Sequence, residues 1–222
     1  MINIAIDGPA GAGKSSLSRL LAKELEYIYV DTGALYRAVG LKFSRLGFDT
    51  QLSGDIPSVL DGTTLDIRFI DGAQRVFLDG EDVSDDIRTP TASMMASAVS
   101  AKPEVRAFLL DMQRDLAKRN NVVMDGRDIG TVVLPDAKVK IFLTADVEVR
   151  AQRRLKELIE KGEKVTFEEV LEDMKTRDFN DSHRAIAPLK QADDAVLADT
   201  SSLDFEGSLK LLLDIVKKGI DA

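Results

Sequence analysis

The chain has 222 residues, 44% of them hydrophobic, and its 38 acidic and 30 basic side chains give a formal net charge of −8. That length suits one α/β domain with an insertion, and the acidic balance is a poor match for a nucleic-acid backbone or an anionic membrane. Cysteine is absent, which excludes disulfides, thiolate metal sites and thiol nucleophiles. No leader-like segment opens the sequence and no apolar run approaches the roughly 18 residues of a membrane span, so a cytoplasmic protein is expected.

The first predicted element is a short strand through Ile2, Ile4 and Ile6, followed by the loop Gly8-Pro9-Ala10-Gly11-Ala12-Gly13-Lys14-Ser15-Ser16. Gly8, Gly13, Lys14 and Ser15 satisfy G-x-x-x-x-G-K-[ST], and Leu17, Leu20, Leu21 and Leu25 then recur at helical spacing. A strand, a glycine loop and a helix N-terminus in that order turn backbone N–H groups towards phosphate oxygens. Lys14 can then reach the β- and γ-phosphates of a nucleoside triphosphate, and the Ser15 hydroxyl can ligate Mg2+. A plain Gly-rich turn, or a dinucleotide fingerprint through Gly11 and Gly13, gives the Lys-Ser pair no purpose.

"YIYV" reads as a strand ending at Asp31, with a helix expected from Ala34 to Leu46. Residues 63–83 change character: "TLDIRFI" and "RVFLDG" alternate apolar and polar around Asp71-Gly72, and Asp79-Gly80 offers a second tight turn. This antiparallel patch reads as an insertion at about 55–89 within a core of 1–54 and 90–222. A helix from Pro103 carries Val105, Phe108, Leu109, Met112 and Leu116 on one face, and "VVM" (122–124), "VKIFLTA" (139–145) and "AVLA" (195–198) read as buried strands. Helices are expected at 147–161, at 166–178 behind a Thr166–Glu169 capping box, and at 205–217. The expected fold is a P-loop NTPase-type, doubly wound parallel sheet of about five strands, with ligands at the strands' carboxyl ends.

The triphosphate's γ-phosphate can go to water, serve a switch, or pass to an acceptor. A GTPase switch needs N-K-x-D, which "FLTAD" lacks; a transporter ATPase needs L-S-G-G-Q, of which "LSGD" at 52–55 is a fragment. Three other segments suit a second anionic substrate. In "VDTGALYR" (30–37), Thr32 and Arg37 offer a hydroxyl and a guanidinium near a strand end, which also fits a plain N-cap and a solvated arginine. In "VVMDGRDIG" (122–130), Asp125 ends a strand as an outer-sphere Mg2+ carboxylate would, and Arg127 and Asp128 follow. In "RDFNDSHR" (177–184), Arg177, Asp181 and Arg184 share a face if helical, which equally describes a salt-bridged solvent face. Arg150, Arg153 and Arg154 form another basic cluster, and residues 150–184 read as a lid. His183, the single histidine, is expected at the surface. A triphosphate loop, a second phosphate site and an arginine lid are what phosphoryl transfer to a small acceptor requires.

"GPAGAGKSS", "DTGALYR", "DGRDIGTVVLPDA" and "RDFNDSHRAIAPL", in that order and spacing, resemble bacterial cytidylate (CMP) kinases over nearly the whole chain. The resemblance implies γ-phosphate transfer from ATP, with Mg2+, to CMP or dCMP, by a monomer without nucleic-acid or membrane partners. It implies that Gly8 to Ser16 hold ATP and that Lys14, Asp125, Arg127 and Arg184 carry the transfer; Arg153 is taken as the lid contact to ATP, a choice among Arg150, Arg153 and Arg154 that helical spacing leaves open. Thr32, Arg37 and Arg127 become contacts to the CMP phosphate, Thr32 standing where some members have serine, and Arg184 reaches the transferring phosphates. Ser97, Arg106 and Asp128 become cytosine readers, with Arg177 and Asp181 on the sugar. Shikimate kinases share the strand-ending Asp-Thr but continue with Asp where this chain has Gly33, and they lack the β insertion. Phosphorylation of adenylate, or a triphosphatase module with a protein partner, are the competing functions.

Overall fold

The computed structural model describes residues 1–160 and 162–221. Strand β1 (Asn3–Asp7) runs through the glycine loop into α1 (Lys14–Leu25), then β2 (Ile28–Asp31) and α2 (Thr32–Arg45). A short helix α3 (Ile56–Asp61) precedes β3 (Leu65–Ile70), β4 (Ala73–Leu78) and β5 (Glu81–Asp82). Helices α4 (Pro90–Ser100) and α5 (Pro103–Arg119) lead back to β6 (Val122–Gly126), a π-helical turn at Ile129–Val133, and β7 (Val139–Thr144). The chain continues through α6 (Val147–Glu160), α7 (Phe167–His183), β8 (Val196–Asp199) and α8 (Phe205–Asp221). The expected end of α6 at Lys161 lies outside the described residues. No helix among the described residues is long and apolar enough to cross a membrane.

Five strands form one parallel sheet in the order β2-β6-β1-β7-β8. Apolar residues at consecutive positions make this possible, because a parallel sheet must bury both faces. Ile4 and Ile6 pack with Leu17 and Leu21 of α1 and with Leu212 and Val216 of α8. Ala5, from the opposite face of the same strand, packs with Val30, Met124 and Val133. The register sets Ile6 and Asp31 level with Asp125, and Asp7 level with Gly126. Three strand ends, each closing on an aspartate or the glycine after one, thereby lie side by side.

Strands β3, β4 and β5 form a separate antiparallel sheet, joined at the two turns read from the sequence. Asp71 and Gly72, at φ 52° and 73°, both take the left-handed conformation that a two-residue hairpin turn demands. One core cluster joins this sheet to the helices beside it, with Leu78 and Val83 against Leu35 and Phe43 of α2 and Leu109 of α5. The Gln74 side chain accepts from the Asp31 N–H at 2.8 Å and donates to its carbonyl at 3.2 Å, so β4 is pinned to the edge of the main sheet.

The structure differs from expectation at five helices: α3 was not expected, α8 runs on from 217 to Asp221, and α2, α4 and α7 also differ. Helix α2 begins at Thr32, two residues early, because Asp31 caps it by accepting from the Ala34 N–H at 2.9 Å. Helix α4 was not expected, since its small, uncharged residues show little periodicity; Thr89 followed by Pro90 is the start signal that marks it. Helix α7 runs on to His183, so Arg184 lies beyond it as an extended C-cap rather than on a shared face with Arg177 and Asp181. The Arg184 Nε donates to the Ala187 carbonyl at 2.6 Å, which turns the chain out of the helix.

Candidate active site

The glycine loop is shaped to leave donors free. Gly13, at φ 86°, occupies the N-cap of α1 and has no side chain to bond the first-turn N–H groups, which stay available to an anion. Gly8 is required sterically, because a Cβ there would collide with the Leu143 carbonyl oxygen. Lys14 is buried, and its Nζ donates to the Gly8 and Pro9 carbonyls at 2.7 Å each. Burial, and then Arg127, pull its pKa down to about 7. Ser15 Oγ donates to Asp125 Oδ2 at 3.0 Å, while the Tyr29 hydroxyl donates to Asp125 Oδ1 at 2.9 Å. Burial lifts the Asp125 carboxyl to about 6.

Across a cavity of about 550 Å3 from this loop stand the other expected residues. Thr32 Oγ1 donates to the Asp125 carbonyl at 2.8 Å, and Arg37 pairs with Asp31 at 2.9 Å. Arg127 Nε meets Asp181 Oδ2 at 2.8 Å, which ties the end of β6 to α7. Asp128 is buried, with its Oδ2 on Arg106 and its Oδ1 3.3 Å from Arg184. Its carboxyl is raised by burial against the opposing pull of those two arginines. Ser97 lines the cavity, and its carbonyl accepts from Ser100 Oγ, which in turn accepts from Arg184 at 3.2 Å. Arg177 reaches the wall with one long contact to Asp173 at 3.8 Å.

The three arginines of α6 do different things. Arg150 is buried and donates to the Ala145 and Ala10 carbonyls at 2.8 and 2.9 Å while pairing with Asp178 of α7 at 2.7 Å. It ties the glycine loop to α6 and α7. Arg153 turns away from the cavity wall, with its guanidinium on the Thr200 and Leu203 carbonyls after β8. Arg154 lines the cavity.

A family model described as cytidylate kinase matches residues 4–218. A cytidylate kinase of Caldicellulosiruptor saccharolyticus is 53% identical over 219 residues, covering 99% of this chain and 97% of its own. A cytidylate kinase of Carboxydothermus hydrogenoformans is 47% identical over 220 residues, with 99% of both chains covered. The chain belongs to the cytidylate kinase family. It is accordingly an enzyme, a nucleotide-binding kinase. A solved structure of an uncharacterized protein from Eubacterium ventriosum ATCC 27560 covers 100% of this chain and 99% of its own at TM-score 0.54 and 15% identity, a likeness of fold alone.

Within this cytidylate kinase fold, one cavity collects Ala10, Gly11, Gly13, Lys14, Ser15 and Ser16 of the loop with Thr32, Arg37, Ser97, Arg106, Asp125, Arg127, Asp128, Arg177, Asp181 and Arg184, but not Gly8, Pro9, Ala12 or Arg153. His183 is exposed and stacks on Phe179 at a 4.0 Å ring separation, as its surface placement in the sequence suggested. Sequence reasoning missed Tyr29, which holds Asp125, and Ser100, which holds Arg184. It also missed Asp7, whose position at the end of β1 was the available signal.

Asp7 and Asp125 share one electrostatic signature: burial lifts each to about 6 from an ordinary 3.8. A carboxyl raised by folding contributes stability that is complete below its unfolded pKa and is lost as pH rises through its folded one. The enzyme's stability advantage over an Asp125→Asn variant should therefore shrink from about pH 4 to about pH 6, as read by urea denaturation of both proteins across that window. A pH-independent difference would mean that Asp125 is not protonated more readily in the folded state.

Proposed function

We propose that this enzyme transfers the γ-phosphate of ATP to CMP or dCMP, giving ADP and CDP or dCDP, with the triphosphate on the glycine loop and the monophosphate on the Thr32–Arg127–Asp128 side. The observation that carries the reading is the buried pair of Arg106 and Asp128 on the wall of the cavity the glycine loop opens into. Cytosine offers an N4 amino donor beside N3 and O2 acceptors, which a carboxylate and a guanidinium complement. Ser97 completes the base pocket, and Arg177 and Asp181 take the sugar. Thr32 offers its hydroxyl to the acceptor phosphate, and Arg37 and Arg127 grip it through the parallel N–H donors that suit its oxygens.

In the reaction an oxygen of the CMP phosphate attacks the γ-phosphorus, the bond to the β,γ-bridging oxygen breaks, and ADP leaves with that oxygen. The acceptor phosphate has a second pKa near 6, so at neutral pH it arrives largely dianionic and needs no strong base. The protein's work is positioning and charge stabilisation. Lys14 neutralises the β- and γ-oxygens, and Arg127 lies where the two substrates' phosphates meet. Arg184, held by Asp128 and Ser100 in the free protein, swings to the transferring group once a base occupies Asp128. The lid, about 150–184, closes over the phosphates and excludes water. Within it Arg154 suits the phosphates, and Arg153 reaches ATP by leaving the Thr200 and Leu203 carbonyls.

The donor set fits Mg2+, a hard cation that keeps most of its waters and leans on substrate phosphates. Ser15 would ligate it directly, and Asp125, already hydrogen-bonded to Ser15, would hold its waters. When bound, the ion supplies charge neutralisation on the β- and γ-oxygens. We take the functional unit to be a cytoplasmic monomer. The test is ADP formation from ATP and Mg2+ without acceptor, then with CMP, dCMP, UMP, AMP or shikimate. Turnover should depend on CMP or dCMP; equal turnover without acceptor sinks the assignment.

A further inference from the structure

Asp7 closes β1 directly before the glycine loop, is buried, and lies outside the cavity wall. Its Oδ1 accepts from the Ile129 N–H and its Oδ2 from the Gly130 N–H, both at 2.7 Å. These two amides open the π-helical turn at Ile129–Val133, and the first N–H groups of any helical turn have no partner within it. The residue placed to cap them is Asp128, whose side chain makes no capping bond. Both of its oxygens go to Arg106 and Arg184 instead. The parallel register brings Asp7 opposite Gly126, two residues before Asp128, so a carboxylate from another strand reaches the vacant capping position. Isolated π-helical turns recur at functional sites.

We propose that Asp7 is a positioning residue for acceptor recognition: by capping the turn in place of Asp128, it leaves the Asp128 carboxylate for the base and locks Arg127 and Asp128 in register with the glycine loop. The inference rests on the reading that Asp128 selects the base. A buried charge is retained here because a neutral side chain of the same size cannot give each N–H its own oxygen: an asparagine brings one acceptor oxygen for two N–H donors. The raised pKa of Asp7, caused first by burial and offset by these two amides, is the electrostatic mark of that arrangement.

The experiment is a double-mutant cycle with Asp7→Asn and Asp128→Asn, read as the ratio of kcat/KM for CMP to that for UMP. In Asp7→Asn one backbone N–H loses its acceptor and faces an amide donor. The ratio should narrow by about tenfold or more, and KM should rise further for CMP than for ATP. In the Asp128→Asn background the same change should move the ratio by less than about twofold, because residues acting as a unit are not additive. A purely structural Asp7 would lower the melting temperature, move both KM values alike and add to Asp128→Asn. That result, or an unchanged ratio in folded Asp7→Asn enzyme, overturns the proposal. Amide exchange in the wild-type enzyme tests it even if the variant does not fold: Ile129 and Gly130 should be protected, and exchange at the rate of an open loop overturns the capping. If Asp128→Asn alone leaves the ratio unchanged, the base-reading assignment itself falls and takes this inference with it. A changed ratio there with an unchanged one in Asp7→Asn removes only the role of Asp7.

Discussion

Lys14→Met is expected to lower kcat/KM for CMP phosphorylation by about a thousandfold, most of it in kcat. In the free enzyme the lysine is buried and its ammonium rests on two loop carbonyls, so the loop already holds its cation where phosphate charge will develop. Methionine fills a similar volume but supplies neither donor nor charge, and Asp7, Asp125 and Asp181 lose a cation that lies within their field. Arginine is no conservative replacement, because its planar fork cannot enter a seat built for a point charge. A pH dependence accompanies the loss. With its pKa drawn down to about 7, Lys14 is deprotonated in free enzyme above that pH, whereas bound phosphates favour the charged form. ATP binding therefore takes up a proton above pH 7, and affinity should fall as pH rises; the Met variant should lack that component. Steady-state kinetics and titration calorimetry in buffers of different ionisation enthalpy read both effects. Activity within tenfold of wild type would show that Lys14 does not stabilise the transferring group.

What could be read from the sequence follows the range of the interactions. The glycine loop was legible because strand, turn and helix start are contiguous, and the hairpin because Asp71-Gly72 carries its own backbone requirement. The five parallel strands were legible as apolar runs, and their carboxyl ends located Thr32, Asp125, Arg127 and Asp128. What needed the structure was register. Nothing local tells Tyr29 that Asp125 will lie within hydrogen-bonding reach, or Asp7 that the amides of Ile129 and Gly130 will face it. Helical spacing grouped Arg150, Arg153 and Arg154 but could not assign them, since one packs on the glycine loop, one on the segment after β8 and one on the cavity. It also put Arg184 on the face of Arg177, which would hold only if α7 ran one residue further. The helix end releases Arg184 towards Asp128, and that local detail joins the segment after α7 to the end of β6.

Asp128→Asn is expected to erase most of the preference for CMP over UMP. The carboxylate offers acceptors only, so it welcomes the N4 amino group of cytosine and opposes the O4 lone pairs of uracil. A site built around one polar group rejects the analogue lacking its partner strongly, by up to about 10⁴-fold, because a buried group is left unpaired. An asparagine can present its amide N–H to O4 or its oxygen to N4, so it discriminates by amide orientation alone. It also removes the charge that faces Arg106 and Arg184. Two buried guanidinium groups then face an uncharged amide, and kcat/KM for CMP should fall by about a hundredfold. UMP, which gains a donor, should lose little or improve. The two effects separate experimentally: a melting curve reports the weakened arginine cluster, whereas the CMP-to-UMP ratio of kcat/KM depends on what the side chain offers the base. An unchanged ratio in folded enzyme would move base selection away from Asp128, and Arg106 with Ser97 would have to supply it through the N3 and O2 acceptors. Uracil keeps O2 but carries a proton on N3, so those two residues could distinguish the bases only at N3. That would leave Asp128 as the counter-ion that holds Arg106 towards N3.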